Sequence, residues 1–182
     1  MKILAIIGSL RKESLNRQLA ELAKAAVGNR TEFEVLDFSQ VPFFNQDIEY
    51  PVPASVAKVR QKVKQADAIW FFTPEYNHFF PGVLKNLLDW LSRPVSKDEP
   101  QVLFGKATAI SGITPGMSGT GLAQDHLITL LSFLNMRIMN TPRLTIQNAM
   151  TQVEDGKLTL TASAEYLQKQ SDAFISFVKG VV

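Results

Sequence analysis

Lys2-Ile-Leu-Ala-Ile-Ile-Gly-Ser-Leu-Arg-Lys-Glu-Ser-Leu-Asn-Arg17 opens the chain with an apolar run that stops at a glycine, followed by a polar loop and a helical pattern. A short apolar run ended by Gly8 reads as a strand buried on both faces, as in a parallel sheet. Ser14 suits the N-cap of a helix whose Leu15, Leu19, Leu22, Ala23 and Ala26 recur at helical spacing. A strand, a short loop and a helix N-terminus together leave backbone N–H groups and the positive end of the helix dipole facing the loop. Arg11 adds a forked guanidinium, which matches a phosphate. The stretch therefore reads as a phosphate pocket, with plain helix capping by the same polar residues as the alternative.

The bulk properties narrow the field. With 182 residues the chain is long enough to bury one large core. The absence of cysteine excludes disulfides, thiolate metal sites and a cysteine nucleophile, and agrees with a reducing compartment. A formal charge of only +2 gives no electrostatic footprint for nucleic acid. No signal-peptide pattern opens the sequence, and no apolar run approaches the ~20 residues of a membrane span. The expectation is a soluble cytoplasmic protein, residues 1–182 forming one domain, with no membrane or nucleic-acid partner.

Outward from the opening stretch, strands and helices alternate. Residues 32–38 read as an edge strand because Phe33 and Val35 alternate with polar residues. Residues 40–53 form a loop broken by Pro42, Pro51 and Pro53. A helix follows with Val56, Val59, Val63 and Ala66 on one side and Lys58, Arg60, Lys62 and Lys64 on a solvated face. Residues 66–73 form a third strand, and Pro81 opens a helix with Leu84, Leu87, Leu88 and Leu91 on one face. Residues 106–112 read as a fourth strand, ahead of a Gly-rich turn and a long helix. A fifth strand lies within 136–146, Asp155-Gly156 marks a turn, and a last helix turns Leu167, Phe174, Phe177 and Val178 inward. This pattern predicts a parallel sheet of order 2-1-3-4-5 with helices on both faces. Ligands of such sheets sit beyond the carboxyl ends of the strands, where the order switches, so residues 8–16 and 74–77 converge on one crevice.

At this point the residues resemble a known family. Gly8-Ser-Leu-Arg-Lys-Glu-Ser-Leu-Asn16 is similar to the GSxRxxSxN signature of the NAD(P)H-dependent FMN reductases. Pro74-Glu-Tyr-Asn77 and Pro81-Gly-Val-Leu-Lys-Asn-Leu-Leu-Asp-Trp-Leu-Ser-Arg-Pro94 resemble its second block. The resemblance covers roughly residues 1–135. It implies a flavodoxin-like three-layer α/β sandwich with a five-stranded parallel sheet, carrying non-covalent FMN. Ser9, Arg11, Ser14 and Asn16, with the Leu15 backbone, would hold the phosphate. Pro74, Glu75, Tyr76 and Asn77 would run beside the ring, and Ser111 and Gly112 would close the other side. The implied reaction moves hydride from NADPH or NADH to flavin and then to a quinone, azo compound, chromate or free flavin. The cofactor carries that chemistry, so no side chain is assigned as a catalytic acid or base. Two departures stand out: Ser118-Gly-Thr-Gly-Leu122 replaces a paired-glycine turn, and His78 sits where relatives carry small or hydroxylated residues.

Other readings compete. His78 and His126 are too isolated for a metal site without cysteine. A flavodoxin-type electron carrier shares the fold, but such carriers display a strongly acidic surface. A serine esterase could use Ser9, yet the last fifty residues hold no histidine. The helix carrying Asn86, Asp89, Trp90 and Arg93 reads as an amphipathic helix with an outward Trp, which favours a homodimer or a dimer of such dimers.

Overall fold

The computed structural model describes residues 1–97 and 99–180. Five strands follow one another in parallel pairs: β1 (Lys2–Ile7), β2 (Glu32–Val35), β3 (Ala68–Phe72), β4 (Ala107–Ile113) and β5 (Arg137–Ile138), in the order β2-β1-β3-β4-β5. The connecting helices are α1 (Leu15–Val27), α2 (Ala54–Gln65), α3 (Gly82–Leu91) and α4 (Gly121–Phe133), and α5 (Ala164–Lys179) closes the chain. Successive residues of a strand face opposite ways, so the central strands feed two cores. Ile3, Ala5, Ile7, Trp70 and Phe72 pack with Leu19 of α1 and Phe174 of α5. Leu4, Ile6, Ile69 and Phe71 pack with Val63, Leu87 and Leu127 of α2, α3 and α4. This is why β1 and β3 carry unbroken apolar runs. The architecture and strand order are those of the flavodoxin-like sandwich the sequence predicts.

Three features depart from the sequence reading. The fifth strand is split: β5 pairs with Ala107 and Thr108, and a second piece, β6 (Leu144–Ile146), pairs with Ser111 to Ile113. In the gap the Gln170 amide of α5 donates to the carbonyls of Ile110 (2.9 Å) and Pro142 (3.0 Å), replacing strand hydrogen bonds. Arg60 is not on the solvated face of α2; it is 4% exposed and donates to the Trp90 carbonyl at 3.1 Å, at the C-terminal end of α3. Trp90 is fully buried rather than outward, and its indole N–H donates to the Pro42 carbonyl at 2.8 Å. A carbonyl closed off from water needs a donor, and these two side chains supply one each. The Asp155-Gly156 signal is realised as a hairpin between β7 (Val153–Glu154) and β8 (Lys157–Leu158), with φ of 49° and 75° at the turn. Among the described residues no helix is long and apolar enough to cross a membrane.

Candidate active site

The site is built where β1, β3 and β4 end. Gly8 donates its N–H to the Phe72 carbonyl at 2.8 Å, and a Cβ there would meet Thr73 Oγ1 at 3.1 Å and Pro74 Cδ at 3.3 Å. A side chain would therefore push the first and third strand ends apart. Ser14 caps α1 in an extended conformation, its hydroxyl accepting from the Arg17 N–H at 3.4 Å. Ser9 Oγ accepts from the Arg11 N–H at 3.3 Å. The Arg11 guanidinium folds over the Glu13 carbonyl, and among the described residues neither Arg11 nor Arg17 has a carboxylate within ion-pair distance. The first-turn N–H groups of Leu15 and Asn16 point out of the helix without intrahelical acceptors.

The opposite wall is made differently. Glu75 accepts from the Ala123 N–H at 3.1 Å, capping α4 from another element. Its second oxygen lies 3.6 Å from His78 Nδ1. Tyr76 and Phe79 exchange two backbone hydrogen bonds of 2.9 and 3.0 Å around Asn77 and His78, whose φ values are 52° and 62°. Positive φ at both central residues makes a tight two-residue turn, and Asn and His are among the side chains that tolerate it. Phe79 stacks on His126 with centroids 4.4 Å apart. At the end of β4, a Cβ on Gly112 would come within 1.9 Å of Thr120 Oγ1 and 2.6 Å of the Thr73 carbonyl. Only glycine lets Thr120 close so tightly over the strand end.

Residues 8–14, 74–79 and 112–120 therefore meet at one end of the sheet; the sequence predicts the meeting of 8–16 with 74–77, and the share taken by 113–120 is new. Not every named side chain faces the opening. Asn16 is 3% exposed and binds the backbone of Ile113. Ser111 lies under the sheet: its hydroxyl accepts from Trp70 Nε1 at 2.8 Å and donates to Gln170 Oε1 at 2.6 Å. The loop of residues 40–53 is held beside the site by α3. Asn86 donates to the Pro42 carbonyl at 2.9 Å and accepts from the Phe44 N–H at 2.7 Å, while Arg93 forks onto Glu49 at 2.7 and 3.2 Å. That fork raises the Arg93 pKa further above its ordinary value.

A cleft of ≈ 380 Å³ adjoins the donor loop, with Ser9, Leu10, Arg17, Asp37 and Ser39 in its lining. The Ser39 N–H, donating at 3.0 Å, and the Ser39 hydroxyl hold the Asp37 carboxyl below its usual range. A second cleft of ≈ 380 Å³, between β6 and α5, touches none of the site loops. Sequence reasoning missed Thr120, Gln124 and Gln170. Gln170 had a visible signal, an amide on the apolar stripe between Leu167 and Phe174.

A doubly wound sheet with an anion cradle at its switch point defines the class of proteins that bind a phosphorylated mononucleotide there. Comparison with known proteins narrows the class: the family model described as NADPH-dependent FMN reductase matches residues 1–151, and the chain belongs to that family. It is 34% identical over 180 residues to a 2-hydroxy-1,4-benzoquinone reductase of a Burkholderia species, covering 98% of this chain and 97% of that protein. It is 36% identical over 181 residues to an NAD(P)H-dependent FMN reductase of Pseudomonas aeruginosa, covering 98% and 96%. Among solved structures, the flavoenzyme NAD(P)H:(acceptor) oxidoreductase FerB of Paracoccus denitrificans superposes with a TM-score of 0.88 at 33% identity, covering 98% and 97%.

Proposed function

We propose that residues 1–182 form one FMN-binding domain that oxidises NAD(P)H and reduces a small organic acceptor, of which a quinone is the best supported. The observation that carries this is the donor-rich loop at residues 9–17, whose two guanidiniums lack carboxylate partners among the described residues. That donor set fits a phosphate monoester. Arg11, the hydroxyls of Ser9 and Ser14, and the backbone N–H of Leu15 would bind the phosphate. Backbone groups of Pro74 to Asn77 and Gly112 would border the ring. Bound there, FMN supplies the hydride-accepting and hydride-donating chemistry. The chain orients it with the stiff turn at Asn77 and His78. Several relatives are quinone reductases, one of them in Escherichia coli at 33% identity over 187 residues. A homodimer is our preferred assembly, with Phe43, 85% exposed, and Tyr50 on the α3-anchored loop as contact candidates. The use of NAD(P)H as hydride source supports a cytoplasmic location.

The purified protein should be yellow, should bleach when NADPH is added without oxygen, and should regain its absorbance with a quinone. A colourless protein that takes up no added FMN would overturn the proposal.

A further inference from the structure

Asn16 sits on the first turn of α1, among residues that line the donor loop, yet its amide faces the protein interior. Its Nδ2 donates to the Ile113 carbonyl at 3.0 Å and its Oδ1 accepts from the Ile113 N–H at 3.1 Å, across 97 residues of sequence. The sheet register explains why this pair exists. The Thr73 N–H donates to the Ser111 carbonyl, so Ser111 faces β3. By the two-residue alternation Ile113 faces the same side. The bond from the Thr114 N–H to the Ile146 carbonyl agrees, putting the intervening residues towards β6. But β3 ends at Phe72, and the chain turns off at Pro74 to make the ring-side loop. The crevice opens because β3 leaves the ladder, and its departure removes the strand partner of Ile113. The Asn16 amide replaces that rung, with the same donor and acceptor a strand would offer.

We propose that Asn16 is a positioning residue of the flavin site rather than a phosphate ligand. Its amide clamps the first turn of α1 to the end of β4 and so holds both segments in place, the phosphate cradle on one side and the backbone at Gly112 on the other. The inference rests on the reading that FMN lies in this cleft. It requires both ends of the flavin to depend on Asn16, whereas Arg11 serves the phosphate alone.

The test measures FMN and riboflavin affinity of the apoprotein by quenching of flavin fluorescence. The ratio of the two affinities reports the phosphate contacts. In Arg11→Ala only FMN should weaken, so the ratio collapses. In Asn16→Leu a buried donor and acceptor lose their partner, and both flavins should weaken by a common factor of about ten or more, leaving the ratio intact. Selective loss of FMN, or no change in either, would overturn the proposal. If Asn16→Leu does not fold, Asn16→Asp carries the test. In that variant an ionised carboxylate sets an oxygen against the Ile113 carbonyl, while the protonated acid again has one donor and one acceptor. Burial raises a carboxyl above its ordinary value of about 3.9, so riboflavin affinity of Asn16→Asp should recover as the pH falls from about 8 to about 4, relative to wild type titrated in parallel. A flat response overturns the clamp. Wild-type protein that binds neither flavin overturns the FMN reading, and this inference with it.

Discussion

The two sides of the proposed site obey opposite rules. In the donor loop the two guanidiniums face no carboxylate among the described residues, and the first turn of α1 points its N–H groups outward. In the ring-side wall the polar groups are paired within the protein. Glu75 caps α4, Tyr76 and Phe79 close on each other, and Thr120 Oγ1 accepts from the Gln124 amide at 3.1 Å. A phosphate carries its charge to the site and needs waiting donors. A flat ring needs a rigid, shaped wall, which pairing provides. Substitutions should therefore weaken ligand binding on one side and the fold on the other.

Gly112→Ala should have the largest effect. Its Cβ has no room against Thr120 and the Thr73 carbonyl, so denaturant unfolding should show a loss of about 3 kcal/mol. An unchanged midpoint would show that the ring-side wall is looser than its pairing implies. Arg11→Ala should cost about 1.5–3 kcal/mol of FMN binding and leave the unfolding midpoint almost unmoved. A stability loss of that size would erase the distinction between the walls. Glu75→Ala should lower stability by about 1 kcal/mol through the lost cap of α4, with Glu75→Gln recovering most of it. If Gln fails to rescue, charge rather than hydrogen bonding holds that wall.

The smallest effect belongs to neither wall and calibrates both. Glu34 meets Lys2 at 2.6 Å and Lys62 at 2.9 Å, and hydrogen bonds from both lower its pKa below the ordinary 4.5. A depressed carboxyl contributes stability above its unfolded pKa and loses it as pH falls through the folded value. Glu34→Gln should therefore cost about 0.2–1 kcal/mol at neutral pH, and the difference from wild type should shrink as the pH falls below 4.5 and through the lowered folded value. A difference that persists in acid would mean that packing, not charge, is what Glu34 provides.

This contrast also explains what was legible in the sequence. Polar residue types between a strand and a helix are read directly, so the loop of Ser9, Arg11 and Ser14 suggests an anion site, with plain helix capping as the alternative. The strands were equally plain, because burial on both faces leaves unbroken runs such as Ile3 to Ile7. Paired groups hide their partners. Nothing local to Asn16 names Ile113, and nothing near Glu75 names Ala123. Trp90 looked outward because the leucine stripe of α3 defined the inner face, but the loop at residues 40–53 folds over the other side and buries it. Arg60 was hidden for the same reason, its acceptor lying on a helix thirty residues away.

The split of the last strand has a consequence for the protein in a crowded solution. A continuous, unprotected edge invites a strand from another molecule to add to it, which is how native sheets begin to aggregate. Here that edge comes in pieces of two and three residues, with Pro142 and the Gln170 amide between them. The other edge, β2, is four residues long and carries Glu32 and Glu34 in ion pairs with Lys2 and Lys62. An incoming strand meets a broken ladder on one side and fixed charges on the other, so strand addition by a second molecule is disfavoured at both edges.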